Sequence, residues 1–115
     1  LQAYDDYPVM VTIQLEDLGF CAKGEGPAFI RRTDFSATGD LPLTTNGGQL
    51  SVGQAGAAGG FLSMTEAIRQ LTDRPTGHAI PDAQRGIVSG YGTVNYDRGL
   101  CASAVMVERA EGGSR

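Results

Sequence analysis

Residues 46–60 read NGGQLSVGQAGAAGG, six glycines in fifteen positions, and an amphipathic helical pattern follows at once, ending in EAIRQL at 66–71. Glycine at that density costs conformational entropy, so its use is to turn the backbone sharply or to let it approach something closely. A loop of exposed N–H groups that leads into a helix suits a carbonyl oxygen, a phosphate or a thioester. Within the following stretch, Phe61, Met64, Ile68 and Leu71 form an apolar stripe, with Thr65, Glu66, Arg69 and Thr72 on the wet side. The predicted helix covers residues 56–72 and stops at DRPTG, through Pro75 and Gly77.

Beyond that stop, RGIVSGY at 85–91 reads as a buried strand and NYDRG at 95–99 as a turn. LCASAVMVE at 100–108 then reads as a second strand that completes an antiparallel hairpin. EGGSR at 111–115 reads as a flexible tail on a domain of residues 1–110. Upstream of the glycine run, KGEGP at 23–27, Gly39-Asp40 and Leu41-Pro42 mark loops, and AFIRR at 28–32 reads as a short edge strand. VMVTIQLE at 9–16 admits two readings. Alternation of Val9, Val11, Ile13 and Leu15 fits a half-buried strand. Asp5 or Asp6 near an N-cap, Pro8 in the first turn and Gly19 as a stop fit a helix, with Val11, Leu15 and Leu18 on one face. Under either reading the order of elements makes the class α/β.

Composition narrows the range of functions. A chain of 115 residues is one domain that can bury a core without disulfides. Nine basic against thirteen acidic residues give a net charge of −4, and Arg31-Arg32 is the widest cationic feature, which argues against nucleic acid or an anionic membrane as partner. Cys21 and Cys101 form no CxxC pattern, and no signal peptide or long apolar run is present, so both read as reduced thiols of a cytoplasmic protein. A start at Leu1, directly in dense sequence, suggests one part of a larger polypeptide.

The chemistry-bearing residues lie in three places. YDDY at 4–7 sets two phenols beside adjacent carboxylates. Asp5 and Asp6 cannot both be buried and ionised, so one can take part in proton transfer, or both can serve as helix-cap and helix-dipole carboxylates. Asn46 is either a donor to a substrate or a tight-turn residue, and Gln54 is either an oxyanion donor or a solvated loop amide. Tyr91, between two glycines, projects into a pocket or packs in the core. His78 reads as a surface histidine, and Cys101 and Cys21 as inert core thiols. Metal-ligand spacings, a Walker loop and GxGxxG are all missing.

Together these motifs resemble the thiolases. NGGQLSVGQAGAAGG with EAIRQL resembles their Asn-x-x-Gly-Gly, Gly-His-Pro and Gly-Ala stretch with its helix. YDDY before EDLGFC resembles the His-Asp-Cys-Phe box of the sterol-carrier-protein type, and SGYG resembles the His-Gly-His-Gly segment. The resemblance implies part of the C-terminal half of a layered α/β/α fold, and a helix over residues 7–18. It also implies CoA or an acyl-CoA as substrate, with no covalently bound cofactor and no metal. The activity implied is making or breaking the C–C bond near a thioester, by thiolytic (Claisen) or retro-aldol chemistry, within an enzyme completed by an N-terminal half. The alternative is a non-catalytic subunit that binds acyl-CoA or lipid.

Carried over residue by residue, Tyr4 stands at the box histidine, Asp6 at the box cysteine, Gln54 at the Gly-His-Pro histidine and Tyr91 at the C-terminal catalytic position. Every proton-transfer group of the family pattern is thus replaced, and glutamine donates hydrogen bonds without acting as a base near neutral pH. The implied catalytic set is Tyr4, Asp6, Gln54 and Tyr91, and the implied substrate-binding set is Asn46, Gly47, Gly48, Gly53, Gly56 and Gly92. The implied partners are the rest of the polypeptide, a second copy in a homodimer and a small zinc-ribbon/OB-fold subunit.

Overall fold

The structure, a computed structural model, describes residues 1–96 and 98–110. Proline at residue 8 fixes φ and needs no partner for an N–H, so it opens a helix directly after the extended Tyr7. That helix, α1 (Pro8–Asp17), resolves the two readings of residues 9–16 in favour of the helix. It buries Gln14 and Leu15 and ends where Gly19 takes φ +80. No side chain caps its N-terminus, so neither Asp5 nor Asp6 serves there.

The expected edge strand at 28–32 is instead helical, within α2 (Gly26–Arg32). Proline again opens the helix, and Gly26 donates its N–H to Glu16 Oε1 at 2.9 Å, against α1. The glycine run also holds more structure than its sequence suggests. It contains α3 (Gly48–Val52) and a 3-10 turn (Gly56–Ala58) before α4 (Gly60–Leu71), so the helix expected over 56–72 begins later.

Three strands make one sheet in the order β1 (Gln2–Ala3), β2 (Arg85–Asn95) and β3 (Arg98–Glu108). β1 runs parallel to β2, with Ala3 opposite Ser89, and β2 runs antiparallel to β3 from Arg85 opposite Glu108 to Asn95 opposite Arg98. Both hairpin strands are longer than expected, which narrows the turn predicted at 95–99. The flexible tail expected at 111–115 lies outside the described residues.

Neighbouring residues of a strand face opposite ways, and that parity gives the layers. Ser89 donates its hydroxyl to Gln14 of α1 at 2.8 Å, whereas a Cβ on Gly86 would stand 3.9 Å from Ala67 of α4. The sheet therefore lies between α1 and α4, an α/β arrangement. Ala3, Leu15, Ala67, Leu71 and Val88 are its buried apolar residues.

Helix α4 departs from its sequence pattern. Ser63, Glu66, Ala67, Gln70 and Leu71 face inward, while Phe61 is 72% and Ile68 50% exposed. Glu66, expected on the wet side, is 1% exposed, and its Oε1 accepts bonds from the Thr45 hydroxyl at 2.9 Å and the Gln70 amide at 2.8 Å. Small and mutually bonded side chains let the helix sit close to β1 and β2, so Phe61 and Ile68 of the apolar stripe turn outward while Leu71 stays buried. Among the described residues no helix is long and apolar enough to cross a membrane.

Candidate functional site

Parallel pairing of β1 with β2 brings the start of the chain to the SGYG segment. The Tyr4 N–H donates to the Ser89 carbonyl at 3.0 Å, and the buried Gln14 amide donates to the Tyr4 carbonyl at 2.7 Å. Tyr4 is thereby held on both sides, and its ring meets Tyr91 edge to face, centroids 5.4 Å apart at 70°.

Two polar groups complete the row. The Tyr91 hydroxyl donates to Asp6 Oδ1, and the Gln54 amide donates to the Tyr4 hydroxyl oxygen at 2.6 Å. Burial, first, and then the bond to Asp6 and the charge of that carboxylate, push the Tyr91 phenol above its ordinary value of 10.0. Near neutral pH it is therefore a proton donor. Gln54, Tyr4, Tyr91 and Asp6, drawn from the loop, the β1 end, the middle of β2 and the α1 approach, form one continuous line of contacts.

Asp5 does different work from its neighbour. It is 7% exposed, and its Oδ1 accepts the Gln49 N–H at the start of α3 at 2.7 Å. Gly48 sits directly over it with φ +65, and a Cβ there would lie 1.9 Å from Asp5 Oδ2. Only glycine fits. Asn46 Oδ1 accepts the Gly48 N–H at 2.9 Å, which closes the turn that delivers Gly47 and Gly48.

Tyr4, Tyr91, Gly56, Gly60, Gly92 and Cys101 line an open cavity of about 520 Å³. Of the residues the sequence nominated for substrate binding, Gly56 and Gly92 lie on this cavity. Asn46, Gly47, Gly48 and Gly53 instead shape α3 and its two ends. A larger hollow of about 700 Å³, bounded by Ile68, Arg74 and Arg109, holds none of the tyrosines or carboxylates of the row.

Cys101, expected in the core, is exposed on β3 opposite Gly92, with its sulfur 3.1 Å from the Gly92 carbonyl oxygen. The hairpin register was the signal that places it at the cavity. Cys21 is half-buried, and His78 is exposed. Among the described residues no three His, Cys, Asp or Glu side chains are grouped to hold a metal ion.

Comparison with known proteins adds three kinds of finding. The family described as thiolase C-terminal domain-like matches residues 1–102. The chain is 44% identical over 68 residues to 17-hydroxy-3-oxo-4-pregnene-20-carboxyl-CoA lyase of Mycobacterium tuberculosis, which is 59% of this chain and 17% of that protein. It is 44% identical over 66 residues to a steroid side-chain-cleaving aldolase of Thermomonospora curvata, 57% of this chain and 16% of that one. It is 26% identical over 85 residues to benzoylsuccinyl-CoA thiolase subunit BbsB of Thauera aromatica, 74% of this chain and 22% of that subunit. The chain thus spans between 16% and 22% of the length of these relatives. No solved structure matches it.

Proposed function

This chain belongs to the thiolase C-terminal domain-like family, and from that premise we propose that it is the C-terminal part of an enzyme cleaving or forming the C–C bond beside an acyl-CoA thioester. Of the two chemistries open to such an enzyme, the proposal is retro-aldol cleavage of a 3-hydroxyacyl-CoA. The names of the two relatives at 44% identity, a lyase and an aldolase, support that choice. The observation that carries the reading is the unbroken row Gln54, Tyr4, Tyr91, Asp6, with both tyrosines on one cavity.

In the proposed step the substrate hydroxyl gives its proton to the Tyr91 oxygen as Tyr91 passes its own to Asp6. A phenol with a raised pKa suits this relay, because it never stands as a free phenolate. The bond between the second and third acyl carbons then breaks, leaving a ketone or aldehyde and a thioester enolate. Tyr4, its oxygen held by the Gln54 amide, donates toward the enolate oxygen, where a fixed donor matters most. The proton stored on Asp6 returns through Tyr91 to the enolate carbon. Protons balance without an outside reactant.

The proposal includes partners: the remainder of a longer polypeptide, a second copy in a homodimer and a small zinc-ribbon/OB-fold subunit. The outward apolar residues Phe61 and Ile68 of α4 and the 64% exposed Met106 of β3 support a covering surface of some kind. A cytoplasmic location is part of the same reading. The second reading, an acyl-CoA binder without turnover, draws on the fact that the cavity is lined by no histidine.

Tyr4→Phe and Tyr91→Phe in the full-length protein separate the two. The enzymatic reading expects each to slow the chemical step by about a hundredfold or more, with acyl-CoA affinity changed by less than about threefold. No cleavage of any 3-hydroxyacyl-CoA by the wild-type protein, despite tight binding, leaves the binder. Parallel loss of affinity and rate in both variants returns the tyrosines to a packing role.

A further inference from the structure

Gly60 opens α4, and no neighbouring group accounts for its lack of a side chain. Glycine weakens a helix relative to alanine, so a helical position that takes it has a use for the space or for the backbone freedom. Other glycines at or beside the cavity show such uses. Gly56 has φ +57, a Cβ on Gly59 would lie 2.8 Å from Gln49 Oε1, and one on Gly92 would lie 3.3 Å from the Cys101 sulfur. Gly60 differs from all three. Its φ is not positive, it is exposed, and a Cβ there would meet nothing within 4 Å.

The space it leaves open joins two hollows. One is the cavity of about 520 Å³ that carries Tyr4 and Tyr91. The other, about 270 Å³, lies between α4 and the β2–β3 hairpin, where Phe61, Met64, Val88 and Val105 line it. Ala57, Gly60, Gly90 and Ser103 border both, so the two are continuous through a passage of small residues. One end of this groove is polar and the other apolar. Ligand cavities of roughly 300–1,000 Å³ are built in that way, mostly apolar with a few placed polar groups.

We infer that the second hollow receives the apolar tail of the acyl-CoA and that Gly60 is a specificity-determining residue over which the tail passes, an assignment that rests on the acyl-CoA reading above. A thioester with a long hydrocarbon tail has the polarity of the groove. Its reacting carbons belong at the tyrosines, and its far end belongs among Phe61, Met64 and Val105. Val105 is 42% exposed and Phe61 72%, so apolar surface there faces water that a tail would displace. Each methylene that reaches the hollow adds affinity, and a side chain on Gly60 would stand in its way.

The test uses the full-length protein and two probes, octanoyl-CoA and butanoyl-CoA, with binding read by calorimetry and unfolding by thermal melt. Neither ester carries the hydroxyl that cleavage requires, so binding is read without turnover. The wild type is expected to prefer octanoyl-CoA by about tenfold or more. Gly60→Leu is expected to bring the two esters within about threefold, chiefly by weakening the longer one, and its melting midpoint should hold or rise because leucine favours the helix. Val105→Phe, which narrows the hollow from the opposite wall, is expected to shrink the preference in the same direction and gives a second reading should the leucine variant fail to fold. An undiminished preference in both variants, or equal weakening of both esters, overturns the assignment. A lower midpoint in the folded variants without ligand also overturns it, and gives the hollow to another part of the polypeptide. Equal binding of the two esters by the wild type overturns it with the acyl-CoA reading intact. Failure of the wild type to bind either ester overturns that reading and this one together.

Discussion

Replacing Gly48 by alanine tests how the glycine run is anchored. Gly48 has φ +65, where an L-residue loses about 1–2 kcal/mol. The added Cβ would stand 1.9 Å from Asp5 Oδ2 and 2.6 Å from Oδ1, so the carboxylate has to move. Asp5 is 7% exposed and bonded to the Gln49 N–H at 2.7 Å, and moving it sacrifices that bond to a charged group, about 1.5–3 kcal/mol. Together Gly48→Ala is expected to destabilise by about 3–4 kcal/mol. Gly24→Ala is the matched control, since Gly24 has φ +84 and nothing within 4 Å of a Cβ, so only the backbone cost of about 1–2 kcal/mol applies. Chemical denaturation of the two variants of the full-length protein measures the difference. Equal losses in both would refute the claim that Asp5 pins the loop from below.

Two further outcomes follow from the buried polar groups. Glu66→Ala, which strips the Thr45 hydroxyl and the Gln70 amide of their shared acceptor, is expected to cost about 2–3 kcal/mol in the same assay, and Glu66→Gln less. The raised Tyr91 phenol contributes stability that is complete below about pH 10 and fades as pH climbs through its folded-state value, so Tyr91→Phe should flatten the alkaline decline of the melting midpoint above pH 10.

Local pattern and distant contact divide what the sequence could reveal. Pro8 and Gly19 bracket α1 in the sequence as they do in the structure, and the hairpin is readable from two apolar runs around a turn. Pro27 carried the same helix-opening signal for α2, and the β-friendly Phe29 and Ile30 obscured it. Glu66 was misplaced for a different reason: its partner Thr45 lies 21 residues away, and an amphipathic pattern has no access to that pairing. Gln49 resembles any polar residue in a short helix until the structure shows that both its amide atoms are buried and unpaired.

Adjacent Asp5 and Asp6 explain why the loop and the proton row behave as one unit. Strand β1 ends at Ala3 and α1 begins at Pro8, so the four residues between them have only a short span in which to point. Asp5 turns inward to the α3 backbone, and Asp6 turns to the Tyr91 hydroxyl. Two like charges in sequence are tolerated because each finds donors in a separate direction, one from backbone and one from a phenol. A shift of the glycine loop that moves Asp5 therefore reaches Tyr4 and Asp6 on either side of it. The loop also holds Tyr4 directly, through Gln54. Perturbations in residues 46–54 are thus expected to register at the tyrosine pair without touching the cavity wall.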